Sequence, residues 1–413
     1  MPAPDTRLAI DAVWRIESAA LIAGLTRIVR DVGIAEDLAQ DALVAALEQW
    51  PASGIPEKPG AWLMATAKHR AIDALRRKRK QVDLGDHPEP EAPAPDEPEE
   101  GEIGDNMLRL IFMTCHPALA PESRAALTLR LVGGLTTDEI ARAFLVPEPT
   151  VAQRIVRAKK TLTEERVPFE VPRGAELSAR LSSVLEVVYL IFNEGYAATA
   201  GEDWTRPALC EDALRLGRIL AELAPQEPEV HGLVALMEIQ ASRLAARVGP
   251  SGEPVLLLDQ NRARWDPLLI RRGLAALERA ESLGSRGPYA FQAAIAACHA
   301  RATTAAETDW ARIVALYGEL AARMPSPVVE LNRAVAVSMA SGPAAGLELV
   351  DRLVDEPSLQ GYHLLPSVRA DFLMKMGRLD EARAEFERAA SLTRNARERD
   401  LLRSRAEACL KSR

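Results

Sequence analysis

The sequence predicts an all-α protein: two small helical domains joined by an acidic linker, followed by a long array of helical hairpins. Three observations predict it. Hydrophobic residues make up 48% of the chain but aromatic residues only 4%, and the prevalent Ala, Leu and Arg lose little side-chain freedom in a helix. Apolar positions recur at helical spacing, whereas the apolar–polar alternation of strands is nearly absent. Gly and Pro punctuate the second half between helical stretches, as helix-to-helix turns do.

The first element begins near Leu8, and its apolar positions continue through Val13 and Ile16 to Leu21, Ile22, Leu25, Ile28 and Val29. A further stripe runs Leu38, Leu43, Val44, Leu47, Trp50. Three helices fit up to Trp50, with a break at Asp31–Gly33 where Gly33 would cap a helix C-terminus. Pro51 to Gly60 reads as a loop. The next helix starts near Ala61, carries Trp62, Leu63, Ala67, Ile72 and Leu75, and ends in the run RRKRK, Arg76 to Lys80.

From residue 81 to 104 the chain turns Pro- and acid-rich and loses its apolar period. Such a segment cannot bury enough surface to offset its ordering entropy, so a flexible linker is expected. A second helical block follows over 105–168, bounded by Pro168 and Pro172. From 175 to 413 the pattern is helix after helix. Within it, Ala382, Phe386 and Ala389 are echoed by Gly346, Val350, Leu353 and by Gly273, Leu277, Ala280, and Ala213 is followed twelve residues later by Pro225. Small residues at these points would let paired helices approach closely. The unit spacing is near the ~34 residues of a tetratricopeptide repeat, so this part is expected to form a tetratricopeptide-like array.

At 413 residues two or three domains are expected. The N-terminus breaks into charge at once, which does not suit a signal peptide. No window approaches the ~20 apolar residues of a membrane span. The cysteines Cys115, Cys210, Cys298 and Cys409 are scattered, as expected of reduced, buried residues in a cytoplasmic protein. Net charge is −8, yet only local cations neutralise phosphates, so distribution decides whether nucleic acid is a partner.

Two basic elements stand out. The first is the helix ending in RRKRK. A helix terminus tolerates some cations at its negative dipole end, but five in succession exceed that need. Trp62 on the same helix suits either stacking on unpaired bases or a core. The second is GLTTDEIARAFLVPEPTVAQRIVRAKKTL, Gly134 to Leu162, which has the organisation of a helix-turn-helix, although a surface hairpin shares the pattern. Thr136 and Glu139 form a capping box. Ile140, Ala141 and Phe144 supply an inner face, Val146 to Pro149 the turn, and Val151, Ile155, Ala158 and Leu162 the buried stripe of the second helix. Thr150, Gln153, Arg154, Arg157 and Lys160 then lie on its other faces. Arg and Gln can pair with base edges, whereas Lys159 and Lys160 suit phosphates.

These segments resemble a known family. DLAQDALVAALEQW (Asp37 to Trp50) with AWLMATAKHRAIDALRRKRK resembles region 2 of the extracytoplasmic-function sigma-70 factors, and Leu119 to Leu162 resembles their region 4. YLIFNEGYAAT and SPVVELNRAVAV resemble the branch with a C-terminal tetratricopeptide-like extension. The resemblance implies that Asp37, Leu38, Gln40 and Asp41 contact the β′ clamp helices of core RNA polymerase. It implies that Trp62, Lys68, His69, Arg70, Arg76 and Arg77 engage the minus-ten promoter element during opening. Thr150, Gln153, Arg154, Arg157, Lys159 and Lys160 would serve the minus-thirty-five element, near the polymerase β flap. Two departures are visible: His69 stands where relatives usually carry Asn, and Pro147 where they usually carry Ser.

The implied function is an alternative sigma factor with a regulatory C-terminal part, which has no enzymatic activity, cofactor or metal. The competing readings are a helix-turn-helix regulator and a tetratricopeptide scaffold holding a protein or peptide. Cys115 and His116 are adjacent, which is poor geometry for a nucleophile and base, and the remaining histidines lack metal-ligand spacing. Glu194-Gly195-Tyr196 places polar residues in an apolar context and reads as a buried hydrogen-bond network or a ligand pocket.

Overall fold

In the computed structural model, the backbone is described for residues 4–82, 100–144, 146–198, 200–284 and 287–411. Side chains are described for these residues apart from 4–8, 11, 15, 72–82, 100–105, 142, 175, 200, 201 and 411. Two compact units result, Met1–Leu190 and Ile191–Arg413.

The first unit contains α1 (Pro4–Val29), α2 (Val32–Ser53), α3 (Pro59–Val82), α4 (Glu100–Thr114), α5 (Pro121–Leu131), α6 (Thr137–Phe144) and α7 (Glu148–Glu164), and most of α8 (Ala175–Tyr196). Two helices, not three, precede the loop after Ser53. The break comes at Arg30, in the left-handed region at φ 55°, and Asp31 caps α2 by accepting from the Ile34 amide at 3.0 Å. Gly33 thus lies inside α2 rather than ending a helix, because a carboxylate one residue before a helix satisfies its free N–H groups more directly. Helix α2 runs through Pro51 to Ser53, which shortens the expected loop. The expected linker also contracts: α3 reaches Val82 and α4 starts at Glu100, while 83–99 lie outside the described residues.

Leu21, Ile22, Leu25, Ala35, Ala39, Ala42, Trp50, Leu63 and Ala67 are buried, and α1 packs on α2, α3 and α4. Helix α4 therefore shares a core with α1 as well as packing on α5. Helix α8 does not begin a separate domain at 175. Arg180 donates to the Phe112 carbonyl at 3.0 Å and Ser183 to the Cys115 carbonyl at 2.7 Å, and Arg124 reaches Ser183 and Glu186. The boundary between the units falls within α8.

The second unit continues with α9 (Pro207–Leu223), α10 (Pro228–Ala241), α11 (Pro267–Ser282), α12 (Pro288–Arg301), α13 (Trp310–Arg323), α14 (Pro327–Ser341), α15 (Pro343–Asp351), α16 (Leu364–Lys375), α17 (Leu379–Leu392) and α18 (Ala396–Lys411). Helices α9 to α12, α14 and α15 open on Pro. The missing N–H is one that a first turn leaves unpaired anyway, so proline starts these helices at little cost. Gly342 (φ 94°) and Gly377 (φ 75°) make the tight turns before α15 and α17. Consecutive helices pack pairwise from α12 to α18, which is a tetratricopeptide-like array of hairpins.

The small-residue pattern has the expected basis. A Cβ on Gly273 would lie 2.6 Å from Ile239 Cγ1, and one on Gly346 would lie 2.6 Å from Ser338 Cβ. Ala382, Phe386 and Ala389 are fully buried, and Leu353, beyond the end of α15, is half-buried. One short sheet departs from the all-helical expectation: β1 (Ala200–Gly201) pairs in parallel with β2 (Arg394–Asn395). Asn395 fixes it by donating from Nδ2 to the Ala198 and Asp203 carbonyls at 3.0 and 2.8 Å.

Candidate nucleic-acid and polymerase interface

Helix α2 is amphipathic in a way that separates its roles. Asp37, Asp41, Val44 and Glu48 form an exposed stripe, with Gln40 half-buried beside it. Leu38 is 7% exposed and belongs to the core, so it supports this stripe rather than lying on it. Asp41 meets Arg70 of α3 at 3.4 Å, with side chains 61% and 42% exposed, so the pair adds little stability.

On α3, Trp62 is half-buried and packs edge-on against Trp50 with ring centroids 5.3 Å apart. This places much of the indole against the core and leaves only part of it for a ligand. Lys68 and Arg70 are half-buried and His69 is exposed. The backbone remains helical through Arg76 and Arg77, whose side chains lie outside the described residues.

The helix-turn-helix forms as expected, except that α7 already starts at Glu148, inside the expected turn, and Phe144 is only half-buried. The Thr136 amide donates to Glu139 at 2.8 Å and the Glu139 amide to Thr136 Oγ1 at 3.2 Å, closing the capping box. Pro147 caps α7 without a side-chain hydrogen bond. Val151, Ile155, Ala158 and Leu162 are the buried residues of α7; burying Val, Ile and Leu contributes about 1.5–3 kcal/mol each. Gln153, Arg157 and Lys160 are exposed, and Thr150 and Arg154 are half-buried. Lys160 also faces Glu164 at 3.5 Å on the surface.

Lys159 departs from this outward set. Its ammonium forms an ion pair with Glu36 of α2, a residue only 4% exposed. Arg130 of α5 donates from Nε to the same carboxylate at 2.8 Å, and Gln40 donates to it at 2.8 Å. Thr163 adds a hydroxyl bond to Asp31 at 3.2 Å. Burial by itself would raise the Glu36 pKa, but the Lys159 and Arg130 charges outweigh it and hold the carboxyl below the usual range. Sequence reading missed Glu36. The available signal is phase: Glu36 falls on the face that Val32, Ala35, Ala39 and Ala42 bury, and a carboxylate there requires cationic partners.

Cys115 is buried, and burial pushes its thiol up to about 11, so it is protonated at neutral pH and a poor nucleophile. His116 accepts from the Ala118 amide at 3.2 Å. Cys210 and Cys409 are also buried, whereas Cys298 is half-buried, contrary to expectation. Among the described residues no group of His, Cys, Asp and Glu could hold a metal ion, and no helix is long and apolar enough to cross a membrane.

Residues 17–81 match the family model "Sigma-70 region 2" and residues 109–162 "Sigma-70, region 4". Residues 180–281 match a "Family of unknown function (DUF6596)". An uncharacterized protein of Rhizobium meliloti is 42% identical over 385 residues, covering 92% of this chain and 90% of its own. The probable ECF RNA polymerase sigma factor SigI of Mycobacterium tuberculosis is 27% identical over 39% of this chain and 57% of its own length. The ECF RNA polymerase sigma factor SigC of the same organism is 29% identical over 34% of this chain and 75% of its own. The basic helix and the helix-turn-helix both fall within the matched regions, and the chain belongs to the extracytoplasmic-function sigma-70 family, with an additional helical C-terminal part.

Proposed function

We propose that this protein is an alternative sigma factor that directs core RNA polymerase to promoters bearing two separated elements, under the control of its C-terminal helical unit. Sigma-70 family membership carries binding to core RNA polymerase and promoter DNA. The finer assignments rest on the resemblance to sigma regions 2 and 4, and exposure and charge support them. The stripe Asp37, Gln40, Asp41 on α2 offers an acidic face to the β′ clamp helices. Trp62, Lys68, His69 and Arg70, continued by Arg76 and Arg77, serve the minus-ten element, where extruding a base costs a few kcal/mol and needs phosphate clamps beside it. Thr150, Gln153, Arg154, Arg157 and Lys160 serve the minus-thirty-five element near the β flap, with Lys159 joining them once it leaves Glu36.

The observation that carries this reading is the outward face of α7: a buried apolar stripe on one side and exposed Gln153, Arg157 and Lys160 on the other, beside a second basic helix in the same unit. The cytoplasm, where the polymerase works, is the matching location. Run-off transcription tests it: core polymerase plus this protein should initiate at a selected promoter, and the two should co-purify. Duplex operator binding without core association would refute the sigma role and favour a repressor.

The C-terminal unit is assigned a regulatory role because a hairpin array presents an extended surface for a protein or peptide. Truncation after Leu190, which keeps the α8 contacts of Arg180 and Ser183, separates the outcomes. Higher transcription supports inhibition and lower transcription supports assistance, while unchanged transcription refutes regulation.

A further inference from the structure

The second unit contains a cluster of cations that the polymerase and promoter contacts do not use. Arg243 and Arg247 follow α10, one helical turn apart. The Arg247 guanidinium lies 3.8 Å from the Tyr196 ring centroid and 5.5 Å from that of Trp204. Arg243 lies 5.7 Å from both the Tyr196 and the Trp265 rings, and its Nη2 donates to the Tyr196 hydroxyl at 2.6 Å. Arg262 also lies over Trp265, 4.8 Å from its ring centroid, and is satisfied by the His299 and Ala302 carbonyls and the Thr308 hydroxyl.

Two features of the cluster go together. Among the described residues no carboxylate forms an ion pair with Arg243 or Arg247, which meet Tyr196 and aromatic faces and repel one another. Further, Nε of Arg243, Nε of Arg247, and the indole Nε1 of Trp204 and of Trp265 are all buried without an acceptor, with Trp265 only 5% exposed. Each such donor loses its hydration without gaining an acceptor, and four in one cluster is a large concentration of unmet donors. Burial also pushes the Arg247 pKa down, and Arg243 adds to this. Cation–π contact offsets part of the cost, but aromatic rings supply neither a hydrogen-bond acceptor nor a net negative charge.

We propose that Arg243, Arg247, Trp204 and Trp265 form a binding site for a phosphate group in the C-terminal unit, with Tyr196 positioning the two guanidinium groups. The site is donor-only, which selects an oxyanion. Its uncompensated charges are two or more, which a phosphate dianion balances and a single carboxylate leaves half balanced. Arginine forks suit phosphate oxygens geometrically as well. The segment that supplies Tyr196 is the Glu194–Tyr196 motif of the sequence: Glu194 pairs with Arg206, and Tyr196 is left to hold the arginines.

Calorimetric titration of the full chain with inorganic phosphate, O-phosphoserine and acetate, at matched ionic strength, tests the proposal. Saturable binding of phosphate or phosphoserine at one site per chain is expected, at least tenfold tighter than acetate. Arg243→Gln and Arg247→Gln should each weaken it at least tenfold, and the exposed Arg264→Gln should not change it. Should either arginine variant fail to fold, Tyr196→Phe keeps the ring and should still weaken binding several-fold. Tighter binding of phosphoserine assigns the site to a phosphomonoester, and equal binding to free phosphate; both support it. Acetate binding as tightly as phosphate, or affinity unchanged in the variants, would overturn it. No polymerase or DNA is needed, so failure here leaves the sigma-factor reading intact.

Discussion

Replacing Glu36 with Gln isolates the charge that joins α2 to the helix-turn-helix. The amide is nearly isosteric and can still accept from Arg130, but it no longer offsets the Lys159 and Arg130 charges. Losing one member of a buried pair costs about 3–5 kcal/mol. Here the two cations retain 22% and 24% side-chain exposure and recover part of their hydration, which lowers the expected cost to about 2 kcal/mol. For a domain of this size that is a fall of about 4–8 °C in Tm, read by circular dichroism at pH 7. The pH dependence has a fixed sign. The folded Glu36 carboxyl titrates below its ordinary value, so its contribution is full above the unfolded pKa of about 4.3 and vanishes as pH falls through the lower folded value. The difference between wild type and Glu36→Gln should therefore be constant from pH 7 to 5 and shrink below that. Lys159→Met should mimic the loss, and the double variant should be less than additive. Equal stability of Glu36→Gln and wild type at pH 7, or a difference that grows on acidification, would refute the reasoning.

Other consequences are more local. Arg157→Glu on the exposed face of α7 should weaken minus-thirty-five-dependent binding by about 1–3 kcal/mol, roughly five- to 150-fold, in a mobility-shift assay with holoenzyme, without changing Tm; unaltered binding would remove Arg157 from the interface. Thr136→Ala opens the capping box and should cost about 1 kcal/mol in urea unfolding. Gly346→Ala forces a Cβ to within 2.6 Å of Ser338 Cβ and 2.9 Å of the Ala334 carbonyl. It should destabilise the second unit by about 1–3 kcal/mol, and a neutral result would mean that α14 and α15 separate freely.

Much of the candidate interface was legible in the linear chain because it depends on local chemistry. A capping box is a relation between residues three apart, and the stripe of α7 follows from helical periodicity, so Thr136, Glu139, Val151, Ile155, Ala158 and Leu162 could be placed without coordinates. At the α1–α2 break Gly33 is a plausible stop by composition, but Asp31 sets the helix start by accepting a hydrogen bond from the Ile34 amide. The resemblance implies contacts for Leu38 and Trp62, but packing against neighbouring helices draws the first into the core and half-buries the second.

The sequence by itself determined the helical class, the acidic break between two basic elements, the helix-turn-helix and the small-residue pattern of the hairpins, since each rests on spacing within one or two helices. Tertiary structure alone decided that Glu36 meets Lys159 and Arg130, that α8 serves the first unit before entering the second, and that Arg243 and Arg247 gather with Tyr196, Trp204 and Trp265. These pairings join residues far apart in the chain, where charge, burial and donor satisfaction depend on which helices pack together, and no local period records that choice.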